Sequence, residues 1–392
     1  MRAKWILAAV VLVVGAAIYL KVMDRGDDAE GAAPSTANAA APRGQGAGRP
    51  QVKGLQKLSD VPARPPGTVV ETVDQEEELL ARKILGEIKQ AHEKRDRAAY
   101  ERAVARLENE ASDAPSARRF AVKLGWAQLG DAKRHRGQER MTRLDQARRY
   151  LSRGVWLPEY FDDKNLPTKA RTHLVRAIQD ANTDVMTYGR RSEHGGLPGV
   201  TKAYVVPTGE APLTTVSRRQ LPYGPNAILF WNKSSLNPQK VRAGETLLLP
   251  TEALHVEVSL ERRRLALFIG DWFVKDWPAG VGRDDKPTPY GTFEVGKNRS
   301  RNPDWWSPDG FIPYGDPRNE LGSMWIGIES DRVPEDAGIG LHGTNKAQSV
   351  GTRCSNGCVR LENDDALELY GWVRGKDSNG GEPTRIVIFD YD

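Results

Sequence analysis

The pattern of apolar and polar positions divides the chain into segments of different habit. Trp5–Leu20 is an unbroken apolar run, preceded by Arg2 and Lys4 and closed by Lys21. As a helix it would span about 24 Å, or about 28 Å if continued through Val22 and Met23. Residues 24–70 are rich in Ala, Gly and Pro and nearly devoid of large apolar side chains. Such a segment cannot bury enough surface to offset its chain entropy, which predicts a flexible tether. Over residues 71–190 the spacing becomes helical. Leu79, Leu80, Ile84, Leu85, Ile88 and Ala91 recur at intervals of three and four, and Leu124–Leu129, Ala147–Leu151 and Leu174–Ala181 repeat the habit. This predicts an all-α region. Residues 202–251 offer a strand at Tyr204–Val206, helical material between Leu213 and Trp231, a turn at Asn232 and a closing strand at Gly244–Pro250. That order is βααβ. From 253 to 390 the period becomes two. His255–Val258 alternates, and Arg264–Ile269 and Trp272–Val274 flank a Gly270-Asp271 hairpin turn. Further strands are predicted at Trp325–Ile328, Gly340–Leu341 and Thr384–Phe389. One helix, Leu361–Val373, is capped early by Asn363 and Asp364. The fold class predicted is therefore multi-domain: an N-terminal membrane helix, an all-α region, a small βααβ domain and a mostly-β domain.

The 392 residues allow two or three domains. Only 39% are hydrophobic and the mean hydropathy is −0.57, which excludes a multi-pass membrane protein. The net charge of +5 is too mild to argue for a nucleic-acid partner. Eleven Lys and Arg face three acids between Arg118 and Arg153. Such a run is usually a solvated face; contact with anionic lipid or a wall polymer is the alternative. Two cysteines cannot build a disulfide framework or a four-cysteine zinc site. For the first apolar run, a signal anchor over residues 1–23 is favoured over a cleaved signal peptide. Lys21, Asp24 and Arg25 stand where a small-x-small cleavage site belongs, and Ala37-Asn38-Ala39 lies far downstream. The expected location is extracytoplasmic, with the chain held at the inner membrane by that single helix.

One constellation carries reactive chemistry. His342-Gly343-Thr344 follows a strand, and Cys358 comes later within Ser355-Asn356-Gly357-Cys358-Val359-Arg360. A thiolate is the nucleophile of cysteine acyl transfer, and an imidazole can take the thiol proton and return it to an amine. Gly357 lets a substrate backbone approach and frees N–H groups for an oxyanion. Ser355 and Arg360 supply a hydroxyl and a cation that suit a carboxylate substrate. Taken alone, the pair would mean little, because most histidines are structural and a free cysteine is usually a small core residue. Zinc is a poor reading, because His342, Cys354 and Cys358 make only three ligands and His255 would have to be recruited blindly. No cofactor or metal is expected. Cys354 either forms a disulfide with Cys358 or packs beside the site as a free thiol; the turn-like Ser355-Asn356-Gly357 leaves both open.

These motifs, preceded by Thr288-Pro289-x-Gly291-x-Phe293, resemble the YkuD-type catalytic domain of L,D-transpeptidases over residues 253–390. The resemblance implies a β-rich fold and a cysteine that attacks peptidoglycan stem tetrapeptides. The acyl-enzyme is resolved by an amine of another stem to give a 3→3 cross-link, and carbapenems inhibit. It assigns Cys358 as nucleophile and His342 as general base and acid, with the Gly343 carbonyl orienting the imidazole. Gly343, Ser355, Asn356, Gly357 and Arg360 would shape the oxyanion and substrate region. Asn356 departs from the family, where histidine is common. The βααβ segment resembles a LysM domain, whose members bind N-acetylglucosamine-containing glycans, although Pro207 and Ala211-Pro212 disturb its first turn. The helical region resembles tetratricopeptide repeats only through Leu129-Gly130, Ala147, Leu151 and Pro158; its irregular spacing favours a plain bundle. Its protein partners are not legible. The partners implied are peptidoglycan stem peptides and glycan, and the inner membrane. Acyl transfer to water, as in an L,D-carboxypeptidase, or to a protein lysine remains the alternative, as does a non-catalytic wall-binding scaffold. The long stretch Asn298–Arg318, with Trp305-Trp306, is either a lid over the site or an ordered surface insertion.

Overall fold

The computed structural model describes residues 51–52, 75–191, 200–207, 209–220, 223–232, 236–307, 310–376 and 382–390. The anchor expected at 1–23 and the linker at Ser192–Gly199 lie outside the described residues. Of the tether, only Gln51–Val52 is described, as a short strand (β1) parallel to Asp304–Trp305. Among the described residues no helix is long and apolar enough to cross a membrane.

The α region comprises five helices: α1 (Gln75–Glu93), α2 (Arg97–Glu110), α3 (Pro115–Ala132), α4 (Gly137–Ser152) and α5 (Lys169–Arg191). Local chemistry sets their starts. Asp96 caps α2 by accepting from the Ala99 N–H at 2.9 Å, and Pro115 opens α3, where its missing N–H costs nothing. The next unit pairs β2 (Thr201–Val205) antiparallel with β5 (Thr246–Pro250), and β3 (Glu210–Ala211) with β4 (Val241–Arg242). Between them run α6 (Leu213–Gln220) and α7 (Pro225–Asn232), so the strand–helix–helix–strand order holds. The buried Asn232 ties it shut. Its amide donates to the Ile228 and Leu248 carbonyls and accepts from the Leu248 N–H.

The remaining strands are β6 (Leu254–Ser259), β7 (Arg264–Ile269), β8 (Trp272–Pro278), β9 (Val281–Gly282), β10 (Gly291–Arg301), β11 (Asp304–Ser307), β12 (Gly310–Ile312), β13 (Met324–Glu329), β14 (Gly340–His342), β15 (Arg353–Ser355), β16 (Val359–Arg360) and β17 (Arg385–Phe389). Helix α8 (Asn363–Trp372) follows β16. Eight strands form one mixed sheet in the order β16-β14-β13-β10-β17-β6-β7-β8. Most neighbours are antiparallel; β14 with β16 and β17 with β6 are parallel.

The helices are part of the same core as this sheet. Along β7, Leu265, Leu267 and Ile269 face a cluster shared with the βααβ unit and α8, while Ala266 and Phe268 face the helices. Both faces are dry, which explains why β7 reads as a continuous apolar run rather than an alternation. Phe273 of β8 packs into the helical cluster with Leu151, Val155, Leu174 and Ile178. β8 is an edge strand, and helix side chains satisfy its backbone: the Phe273 N–H donates to Ser152 Oγ at 2.8 Å, and its carbonyl accepts from Asn182 Nδ2 at 3.0 Å. An edge covered in this way offers no template for pairing with another chain. Arg171 and Arg264 share the nearly buried Asp276 at 2.8 and 2.6 Å. The buried Arg148 guanidinium lies 4.0 Å above the Trp272 ring.

Asn298–Arg318 is not one loop. Its first residues end β10, and Trp305, Trp306 and Ser307 pair with Ile312, Phe311 and Gly310 as a hairpin. The Gly and Pro content hid this pairing from a period-two reading.

Candidate active site

The site forms where β13 begins and β14 and β16 end. The parallel register sets Leu341 against Val359 and His342 against Arg360, so the histidine strand and the segment after Cys358 lie side by side. The Leu361 N–H donates to the His342 carbonyl at 2.9 Å, extending the pairing beyond the strand. His342 and Cys358 are each 3% exposed. Trp325 of β13 joins them: its ring stacks on the imidazole with centroids 5.7 Å apart, and it packs in one apolar cluster with Cys358 and Leu321. Trp305 of the hairpin packs against that cluster.

His342 Nδ1 lies 2.6 Å from the Gly343 carbonyl. A carbonyl only accepts, so Nδ1 carries the proton and the neutral ring keeps its lone pair on Nε2. Burial, seconded by the Arg360 charge, pushes the imidazole down to about 3; the Gly343 carbonyl, Glu320 and the Leu321 carbonyl oppose this only partly. Burial also pushes the Cys358 thiol up to about 11, against a Gly340 N–H and the Arg360 charge. The resting pair is therefore neutral thiol and neutral imidazole. The thiol itself turns to the Gly338 carbonyl, 3.5 Å away, rather than to the ring. Acid–base hydrogen bonds are often looser in an empty site than in a substrate complex.

The residues before the cysteine form a tight turn. The Ser355 hydroxyl donates to the Cys358 carbonyl at 2.6 Å and accepts from the Gly357 N–H at 3.2 Å. Gly357 sits at φ +116°, a region that excludes side chains. Asn356 Oδ1, two residues before Cys358 in the chain, is buried without a protein partner. Arg360 is nearly buried and donates to Glu320 at 2.6 Å; Lys346 reaches the other Glu320 oxygen at 3.1 Å. Burial works against the Glu320 charge, but hydrogen bonds and charge from Lys346 and Arg360 outweigh it and hold the carboxyl below its usual range.

All seven residues singled out from sequence thus fall within one region. Cys354 and Cys358 are both free thiols. Cys354 stands on β15 against β9, with its sulfur beside Gly280. His255 lies on β6, far across the sheet, stacked on Phe268. A cavity of about 730 Å³ opens between helices and sheet, lined by Tyr150, Trp156, His255 and Glu257 among others, but none of the seven residues lines it. Glu320, Lys346, Trp325 and Asn363 were not foreseen as site residues. Only Asn363 had a signal, and that was misread. It was expected to cap α8, yet the cap position is Glu362, without a side-chain cap bond, and the Asn363 amide turns back to the His342 turn.

A buried cysteine and a buried histidine at one end of a mixed sheet, followed by an arginine, make a candidate site for acyl transfer. Residues 253–388 match the YkuD family, the L,D-transpeptidase catalytic domain. The L,D-transpeptidase named YkuD of Bacillus licheniformis is 34% identical over 144 residues, covering 35% of this chain and 74% of that protein. The one named YqjB of Bacillus subtilis is 33% identical over 136 residues, covering 35% and 71%. L,D-transpeptidase 3 of Mycobacterium tuberculosis, a solved structure, aligns over 53% of this chain and 86% of its own at 15% identity and a TM-score of 0.26. On the strength of the sequence relatives, the chain belongs to the L,D-transpeptidase family. The family match begins at residue 253 and leaves the βααβ unit and the helices unassigned.

Proposed function

We propose that this protein is a peptidoglycan L,D-transpeptidase that forms 3→3 cross-links through a Cys358 acyl-enzyme. The observation that carries the proposal is the His342 tautomer. With Nδ1–H held by the Gly343 carbonyl, the ring's lone pair is on Nε2, the atom that would take the thiol proton. Cys358 Sγ then attacks the carbonyl of the L-centre at position three of a stem tetrapeptide. The C–N bond to the terminal D-residue breaks, and the departing amine takes the proton from the imidazolium. An amine of a second stem attacks the thioester, gives its proton to His342, and releases the sulfur, which is reprotonated. The neutral resting pair suits this order, because the proton moves only once substrate has displaced water and drawn the thiol from Gly338.

Other side chains take supporting roles. Ser355 and Gly357 shape the turn that presents backbone N–H groups to the oxyanion. Asn356 Oδ1 accepts a substrate N–H. Arg360 and Lys346 form a cationic pair in which an incoming substrate carboxylate competes with Glu320. The βααβ unit serves as a LysM-like glycan-binding module, and residues 1–23 hold the enzyme at the outer face of the inner membrane. A tether of forty-odd residues reaches roughly 35 Å in r.m.s. terms, which raises the enzyme's effective concentration at its polymeric substrate.

The test is product analysis. Purified protein is incubated with disaccharide tetrapeptide and the products are weighed by mass spectrometry. A dimer that has lost one D-alanine supports the proposal. A tripeptide monomer alone would make the enzyme a carboxypeptidase, and unchanged substrate would favour a binding scaffold.

A further inference from the structure

Asn363 stands at the first residue of α8, apart from the Ser355–Arg360 motif, and yet its amide is inserted into the backbone that carries His342. Oδ1 accepts from the Ser323 N–H at 3.0 Å and from the Thr344 N–H at 3.1 Å. Nδ2 donates to the Thr344 carbonyl at 3.0 Å. The Asn363 backbone carbonyl accepts from the Ser323 hydroxyl at 2.7 Å. One residue thus clasps the start of β13 and the turn just after β14. Two glycines make room for it. A Cβ on Gly343 would stand 2.3 Å from Oδ1, and one on Gly322, which sits at φ +64°, would stand 2.2 Å from it. Replacing either with alanine would push the amide out, so the glycines and Asn363 form one fitted unit.

The consequence reaches the imidazole through one peptide unit. The carbonyl that holds His342 Nδ1 belongs to Gly343, and the next N–H and carbonyl, those of Thr344, are the ones Asn363 grips. Fixing both polar groups of Thr344 fixes the Gly343 carbonyl and hence the ring's tautomer. The Gly343 carbonyl alone does not explain its own direction, since a glycine followed by a turn can rotate its peptide freely. We infer that Asn363 is a positioning residue for the reaction: it orients the Gly343 carbonyl and through it keeps the His342 proton on Nδ1. This rests on the reading of His342 as the general base. Asn363 is itself exposed on its outer side, so its removal opens no core cavity and leaves the surrounding sheet packed.

The test compares the parent with Asn363→Ala, Asn363→Asp and His342→Ala in the full chain. Turnover of disaccharide tetrapeptide gives kcat and KM, and long-range ¹H–¹⁵N correlation spectra give the His342 tautomer. For Asn363→Ala, kcat is expected to fall about 100-fold with KM within about twofold, the cost of a ring displaced by about an ångström. Its spectrum should change from a single Nδ1–H tautomer to a mixture. Asn363→Asp keeps the oxygen that accepts from the Ser323 and Thr344 N–H groups but sets a carboxylate oxygen against the Thr344 carbonyl in place of the donor. It should show the same tautomer mixing with a milder kcat loss of about tenfold, and it carries the test if the alanine variant does not fold. A parent-like kcat in the Asn363 variants, or a lowered kcat with the Nδ1–H tautomer intact, overturns the inference. Retained turnover in His342→Ala overturns the general-base reading instead, and the spectra still report whether Asn363 sets the tautomer.

Discussion

Burial leaves Cys358 as a thiol, and the pH dependence of its alkylation reads that state directly. With the group near 11, its thiolate fraction at pH 7 is about 0.01%, against about 3% for an ordinary cysteine near 8.5. Reaction with iodoacetamide at pH 7 should therefore be roughly 30- to 300-fold slower than that of a free thiol, since the greater nucleophilicity of a high-pKa thiolate offsets part of its scarcity, and restricted access slows it further. The slope is more diagnostic than the absolute rate. Between pH 7 and pH 10 the rate should rise about tenfold per unit, because each unit multiplies the thiolate fraction tenfold. His342, pushed down to about 3, supplies no imidazolium to flatten that slope. The assay quenches the reaction at timed intervals and quantifies the modified peptide by mass spectrometry, with cleavage between Cys354 and Cys358 so that each thiol is followed separately. A rate that is flat between pH 6 and pH 9 would mean a preformed thiolate–imidazolium pair, and the argument from burial would be wrong. Arg360→Gln sharpens the experiment. It removes a positive charge that depresses both groups, so the thiol should move further up and the imidazole back toward its ordinary value.

The same histidine ties stability to pH. Its pKa is lowered on folding, so between about pH 6.5 and pH 3 the unfolded chain takes a proton that the folded chain refuses. Stability should fall as pH drops through that window, and the urea midpoint of the parent should fall further between pH 7.5 and pH 4 than that of His342→Gln; an equal fall in both would show that His342 is not the cause. Phe273→Ala, at a fully buried ring between sheet and helices, should cost about 3–5 kcal/mol and lower one shared unfolding transition. Two separate transitions, with only one moved, would show that the helices and the sheet do not fold as a unit. Ser355→Ala leaves the Cys358 carbonyl and Gly357 N–H without their partner, so a loss of about 1–3 kcal/mol is expected in denaturant titrations. Its kcat should fall about 10- to 100-fold through a displaced turn.

Much of the strand and helix order was legible because one-sided burial leaves a period. The α1 stripe, of which Ile84, Ile88 and Ala91 are buried although Leu79 is exposed, and the β7–β8 hairpin around Gly270-Asp271 are examples. Cys358 and His342 stood out in the sequence because both residue types are rare in it, at two cysteines and six histidines. What was not legible depends on contacts between distant segments. The helices looked like a separate unit, since nothing local says that Ser152 and Asn182 satisfy the backbone of Phe273. The Trp305-Trp306 hairpin was hidden because its pairing partner is a three-residue strand beginning at Gly310. Glu320 carries no motif, and its role arises only when Arg360 and Lys346 converge on it. Asn363 followed a rule about helix starts that this helix does not obey, because the amide finds three partners elsewhere.

The central claim is that Cys358 carries the acyl group. Full-length protein mixed with disaccharide tetrapeptide is quenched in acid within seconds, digested and sequenced by tandem mass spectrometry. The expected result is an adduct on Cys358 equal in mass to the substrate less its terminal D-alanine, absent from Cys358→Ala and from His342→Ala. Cross-linked or hydrolysed product formed with no adduct on Cys358, or an adduct on Cys354 alone, would contradict it.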